Sequence, residues 1–163
     1  MKTMEKIAES KVKIRFNDCD PFNHLNNSKY IDYIINARED HLISYYDFDI
    51  HKVARTGISW VVAQNQIAYI TPANPMEVVT IQTQLIYSDE KSLLMEGVMW
   101  NEEKTILKAV LWSKFIHIDF KTKKSHIHSI ELMNLFKQIE NPLTEPVNFE
   151  GRIKNLKHSK TIY

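Results

Sequence analysis

The sequence predicts an α+β fold: an antiparallel five-stranded sheet packed against one long helix, with a short helix toward the C-terminal end. Three observations predict it. A strand-like alternation is followed by a single long run of helical apolar spacing. Four segments rich in Val, Ile, Thr and aromatic residues come next, with stretches of period two. The turns between them are tight and polar, which joins neighbouring strands antiparallel.

The first strand is read over residues 11–16, KVKIRF, where Val12, Ile14 and Phe16 alternate with Lys11, Lys13 and Arg15. Residues 17–27, NDCDPFNHLNN, end it, because Asp and Asn side chains bond their own backbone and Pro fixes φ. Asn26 or Asn27 then caps a helix whose apolar positions Tyr30, Ile31, Ile34, Ile35, Leu42 and Tyr45, with the stem of Arg38, reach about Tyr46. The stretch 47–56 is read as a connector. Strands two and three fall at 57–69 and 77–87, and the turns SDEK (88–91) and NEEK (101–104) set apart strands four and five at 92–100 and 105–120. Ser129 caps a short helix with Ile130, Met133, Leu135, Phe136 and Ile139 at helical spacing. Residues 141–163 hold two prolines, scattered charge and no clear period, and are read as a surface-hugging tail behind a single domain at 1–140.

A chain of 163 residues is one ordinary domain, with 44% hydrophobic and 25% charged residues as in soluble globular proteins. The formal net charge of +1 gives no general pull toward nucleic acid or an acidic membrane surface, so neither is an expected partner. A lone cysteine, Cys19, permits no internal disulfide and no cysteine-based zinc site. No run approaches the roughly 18 apolar residues that span a bilayer, and the first ten residues lack the apolar core of a secretory signal. The expected compartment is the cytoplasm. A five-stranded sheet of long apolar strands leaves open edges, from which a homodimer or homotetramer is expected.

Asp18, Asp20, His24, Asn26 and Asn27 crowd the loop that leads into the long helix. A helix start offers unpaired backbone N–H groups and a positive dipole end, which stabilise a developing oxyanion, and a carboxylate beside it activates water. Thioester hydrolysis suits so small a set of groups. Its leaving thiol has a parent pKa of about 8.5 and hardly needs a general acid. The chain has no GxSxG elbow, and its three glycines, Gly57, Gly97 and Gly151, cannot build a phosphate loop.

The stretch RFNDCDPFNHLNNSKYIDYIINAR, residues 15–38, resembles the D-x-D-x-x-G-H-x-N-N-x-x-Y segment of hot-dog-fold acyl-CoA thioesterases, the 4-hydroxybenzoyl-CoA thioesterase-like family; plant acyl-ACP thioesterases carry a similar segment. YITPANPMEVVTIQTQL (69–85) is similar to the family's Tyr-x-x-Pro hairpin, and KAVLWSKFIHIDFKTKK (108–124) to its last strand ending in Asp and a turn. The resemblance spans residues 11 to about 136. It implies a single hot-dog domain with the sheet wrapped around the helix, an acyl-CoA or acyl-ACP substrate, and neither cofactor nor metal. It implies that Asp20 is the catalytic carboxylate, acting as general base on water or as direct nucleophile, that the backbone N–H at Asn27 polarises the thioester carbonyl, and that His24 and Asn26 shape the site; Tyr30 and Asp18 are further expected to serve the substrate. Two positions depart from the pattern: Asn23 stands where many relatives have glycine, and Phe22 where the plant enzymes have a catalytic asparagine.

Simpler readings compete. An isolated D-x-D pair caps turns or pairs with Arg15, and only the H-x-N-N that follows favours catalysis by Asp20 with Asp18 in support. His126 and His128 read as solvated turn histidines, and Tyr30, Tyr33, Ile34 and Arg38 as core before acyl tunnel. Two other functions share the fold: a non-catalytic acyl-thioester-binding protein, and a hydratase or dehydratase, whose G-D-x-N-P-x-H pattern is absent here.

Overall fold

The structure, a computed structural model, describes residues 4–159. β1 (Ala8–Lys13) is followed by a 3₁₀ turn at Phe16–Asp18 and by α1 (Asn27–Tyr46). The expected first strand therefore ends early. Ile14 is fully buried, but Phe16 lies 75% exposed, because the backbone has turned out of the ladder before reaching it.

α1 begins where the Asn26 side chain accepts the Ser28 N–H at 3.0 Å, and ends at Asp47 in the left-handed region, φ 52°. Its buried face is Tyr30, Ile34, Ala37 and His41. His41 is tolerated there because Thr83 Oγ1 (2.7 Å) and Ser10 Oγ (2.8 Å) satisfy both ring nitrogens. The expected connector contains a short helix, α2 (Ile50–Ala54), capped by Asp49, whose Oδ1 accepts from the His51 and Lys52 N–H groups.

β2 (Ile58–Tyr69), β3 (Val78–Ser88), β4 (Ser92–Asn101) and β5 (Leu107–Asp119) are antiparallel neighbours in the order β1-β3-β4-β5-β2, with the two-residue β6 (Lys124–Ser125) on β5. The sheet curls around α1. The helix lies close because Gly97 of β4 has no side chain; a Cβ built there collides with Ile34 Cγ2. The main core forms between helix and sheet from Ile34, Ile81, Met99, Leu111 and their neighbours. α3 (Ile130–Ile139), capped by Ser129 as expected, seals one end with Phe136 and Ile139.

The outer face of the sheet is also covered. Where the sequence pattern leads to a tail, Phe149–His158 form α4, started by Asn148, whose Oδ1 accepts the Gly151 N–H at 2.8 Å. Phe149 and Leu156 close a second core with Val98, Trp100, Leu107 and Val110. Beneath it Glu96, fully buried, accepts two bonds from Arg152 (2.7 and 2.8 Å), one from Trp112 Nε1 and one from Gln84 Nε2. A buried carboxylate this well partnered ties α4 to the sheet.

Candidate active site

The loop between β1 and α1 is built by its own aspartates. Asp20 Oδ1 accepts the N–H groups of Phe22 (3.0 Å) and His24 (3.3 Å), closing a turn in which Asn23 adopts φ 63°. Asparagine tolerates that left-handed geometry, so the turn expected with glycine is kept without it. The Asp20 N–H donates to the His24 carbonyl (2.8 Å), and Asn26 N–H to the Asp18 carbonyl (3.0 Å), folding the loop back on itself just before the helix. Asp20 Oδ2 has no hydrogen-bond partner among the described residues.

Asp18 points elsewhere. Its Oδ2 accepts the Tyr33 hydroxyl at 2.7 Å, and that hydroxyl in turn accepts the Arg15 N–H at 3.0 Å. Burial and the Asp18 carboxylate both push the Tyr33 pKa up, which keeps the phenol protonated as the donor of this bond. Asp18 thus locks the loop to α1. Cys19, between the two aspartates, donates from Sγ to the Arg15 carbonyl, and its thiol pKa is raised by burial and by both carboxylates. It is held as a thiol.

The helix start leaves one backbone donor open. Ser28 N–H goes to the Asn26 side chain and Lys29 N–H to the Asn26 carbonyl, whereas the Asn27 N–H meets no acceptor among the described residues. It lies at the positive end of a 20-residue helix. Asn26 and Asn27 are exposed and His24 is half-buried, with its imidazole unbonded among the described residues. Tyr30 is buried at 2% exposure, and its hydroxyl accepts the Ala73 N–H at 3.1 Å, so it acts as a wedge beneath the loop.

A downstream hairpin latches this arrangement. Leu25 N–H donates to the Ala73 carbonyl (2.8 Å), and Lys108 Nζ reaches the Pro72 carbonyl (2.9 Å) while pairing with Glu77 at 2.8 Å. Tyr69, the first residue of the Tyr-x-x-Pro hairpin, stacks edge-on to Tyr30 with ring centroids 5.2 Å apart. Its hydroxyl donates to the Asn27 carbonyl at 3.1 Å, and the ring is 43% exposed. The hairpin motif, which marks Tyr69 in the sequence only as a hairpin residue, thus places it opposite the helix start.

His126 and His128 divide. His128 is a buried residue, not a solvated one: its Nε2 accepts the Trp60 indole N–H at 2.9 Å and its Nδ1 donates to the Asp89 carbonyl at 3.0 Å.

The profile of the Thioesterase-like superfamily matches residues 14–149. The long-chain acyl-CoA thioesterase FadM of Escherichia coli (strain K12) is 28% identical over 131 residues, which cover 80% of this chain and 98% of that protein. Among solved structures, YbaW, a probable thioesterase from Escherichia coli, superposes with a TM-score of 0.71 at 28% identity, over 82% of this chain and 99% of that one. The 12:0-ACP thioesterase from Umbellularia californica shares the fold alone, with a TM-score of 0.76 at 10% identity over 90% of this chain and 54% of that one. No helix among the described residues is long and apolar enough to cross a membrane. With the profile running through the loop, the helix and every strand from β2 onward, the chain belongs to the thioesterase-like superfamily.

Proposed function

We propose that this thioesterase hydrolyses an acyl-CoA to the free acid and the thiol, with Asp20 activating water and the Asn27 N–H receiving the oxyanion. One observation carries the reading: a carboxylate oxygen of the loop and the N–H at the helix start that follows it are both without partners among the described residues. Water adds to the thioester carbonyl carbon as its proton passes to Asp20 Oδ2. Negative charge on the carbonyl oxygen is met by the Asn27 dipole end, and collapse breaks the C–S bond and expels a thiolate that leaves without a general acid; the proton on Asp20 then passes to solvent, where the thiolate is protonated, and the carboxylate is restored. His24 and Asn26 border the site, and Asp18 and Tyr30 support it from below. The activity named for the Escherichia coli relative favours CoA over ACP as carrier. A homodimer or homotetramer in the cytoplasm is part of the same proposal.

Asp20→Asn is a clean test, because an asparagine Oδ1 still accepts the turn's two N–H groups while the base is gone. Thiol release from a panel of acyl-CoAs is expected to fall about 10²–10⁴-fold. Near-wild-type turnover in the variant would overturn the assignment of Asp20. Tight binding of acyl-CoA by the wild type with no thiol released at any chain length would instead favour a non-catalytic binding protein.

A further inference from the structure

The helix start and the far half of α1 present different chemistry. Arg38 lies eleven residues beyond Asn27, about 16 Å along the axis at 1.5 Å per residue. There α1, the start of β2, β3, β4 and α3 line a largely apolar pocket of about 40 Å³, with Trp60, Leu93, Met95, Phe136 and Ile139 on its wall. A water needs about 10–15 Å³ of such space. The cavity therefore takes the tip of a chain and not a whole acyl group.

Arg38 is the cationic group on its wall. One face of the guanidinium covers the Phe115 ring, with Cζ 4.4 Å from the centroid. Its N–H groups make no hydrogen bond or ion pair among the described residues. The carboxylate next to it in sequence, Glu39, is turned to His51 Nε2 at 2.7 Å. Burial lowers the Arg38 pKa to about 10, so the group still carries its charge at neutral pH. The guanidinium is half-buried and has no carboxylate within ion-pair reach among the described residues, and its fork of donors matches a carboxylate in two parallel bonds. His41, also on the wall, has both ring nitrogens already committed to Thr83 and Ser10.

We propose that Arg38 receives a carboxylate at the distal end of the acyl group, so that the preferred substrate is an ω-carboxyacyl thioester, the half-thioester of a dicarboxylic acid. This rests on the thioesterase reading above. An extended chain advances about 1.25 Å per carbon, given C–C bonds near 1.5 Å, so the span from Asn27 to Arg38 fits an acyl group of about a dozen carbons. Asp20 works at one end of such a chain and Arg38 reads the other.

The test compares dodecanoyl-CoA with its ω-carboxylate counterpart of equal length, following thiol release by wild type, Arg38→Met and Arg38→Lys. The wild type is expected to favour the carboxylate-ended thioester at least tenfold in kcat/KM. Arg38→Met removes that preference, and Arg38→Lys, which keeps a charge but not the fork, restores part of it. A wild type that favours the methyl-ended thioester, with a ratio unmoved by Arg38→Met, would overturn the proposal while leaving the hydrolytic reading intact. If the wild type releases thiol from neither, melting curves still decide Arg38, and the hydrolytic reading has failed as well when no member of the acyl-CoA panel is turned over. Dodecanedioic acid is then expected to raise the melting temperature of the wild type more than dodecanoic acid does, and to lose that advantage in Arg38→Met. Equal shifts from the two acids in the wild type would overturn it.

Discussion

His117 and His128 lie against each other inside the fold, ring centroids 4.6 Å apart, with Trp60 4.7 Å from the His117 ring. Each donates from Nδ1 to a backbone carbonyl, His117 to His126 and His128 to Asp89. His128 Nε2 accepts the Trp60 N–H, which requires it to be unprotonated, and His117 Nε2 is buried with no partner among the described residues. Burial is the largest cause lowering both pKa values from the ordinary 6.5, and it lowers His41 in the same way. The sign follows from linkage. Below about 6.5 the unfolded chain binds protons that the folded chain refuses, so stability is fully present above that pH and is lost as pH falls toward the depressed folded values. Urea unfolding is expected to show a lower midpoint at pH 5 than at pH 7. His128→Phe, which removes one of the three groups, is expected to narrow that difference; equal midpoints for the wild type at the two pH values would contradict the account. Local sequence gave no hint of this cluster, because what buries His128 is Trp60, 68 residues earlier in the chain.

At the level of elements, the Arg152–Glu96 pair ties α4 to the sheet. Arg152→Met leaves Glu96 fully buried without its cation, and stranding one member of a buried pair costs about 3–5 kcal/mol. The variant is expected to unfold at lower denaturant, and proteolysis to cut first near residues 141–148. Glu96→Gln combined with Arg152→Met, which removes both charges, is expected to recover part of the loss, and a double variant no better than the single would argue against stranding as the cause. This contact marks where sequence reading stops. The five main strands, α1 and α3 were legible, since β-rich composition between polar turns marks the strands, helical spacing marks the helices, and Asn26 and Ser129 announce the two helix starts. α4 was not, because Phe149 and Leu156 find their apolar surface only on the back of β4 and β5, strands buried on both sides instead of one. The aspartates of the loop were legible as a group. Their different bonding was not: Asp18 is committed to Tyr33, 15 residues on, and no spacing rule distinguishes it from Asp20.

For the molecule as a whole, the two sheet edges differ in kind. β1, AESKVK, carries Glu9, Lys11 and Lys13, charges that keep an edge from adding strands. β2, ISWVVAQNQIAY, has no charged residue along its 12 positions, bonds only to β5, and exposes Val61, Val62 and Tyr69. Two copies are therefore expected to join through β2, placing Tyr69 and the helix start of each beside the other. Light scattering is expected to give a dimer or a multiple of it, and Val62→Lys to shift the population toward monomer with a fall in thiol release; a monomeric wild type with full activity would refute this. The strand order has a second consequence, in the making of the protein. β1 must wait for β3, and β2 closes only on β5, with Ile58 paired to Asp119. On a ribosome, α1 therefore emerges with its apolar face bare and finds no finished sheet until the residues of β5 follow. Such long-range closure folds slowly and leaves the nascent chain prone to aggregation, so this protein is expected to need protection during synthesis that its finished form does not.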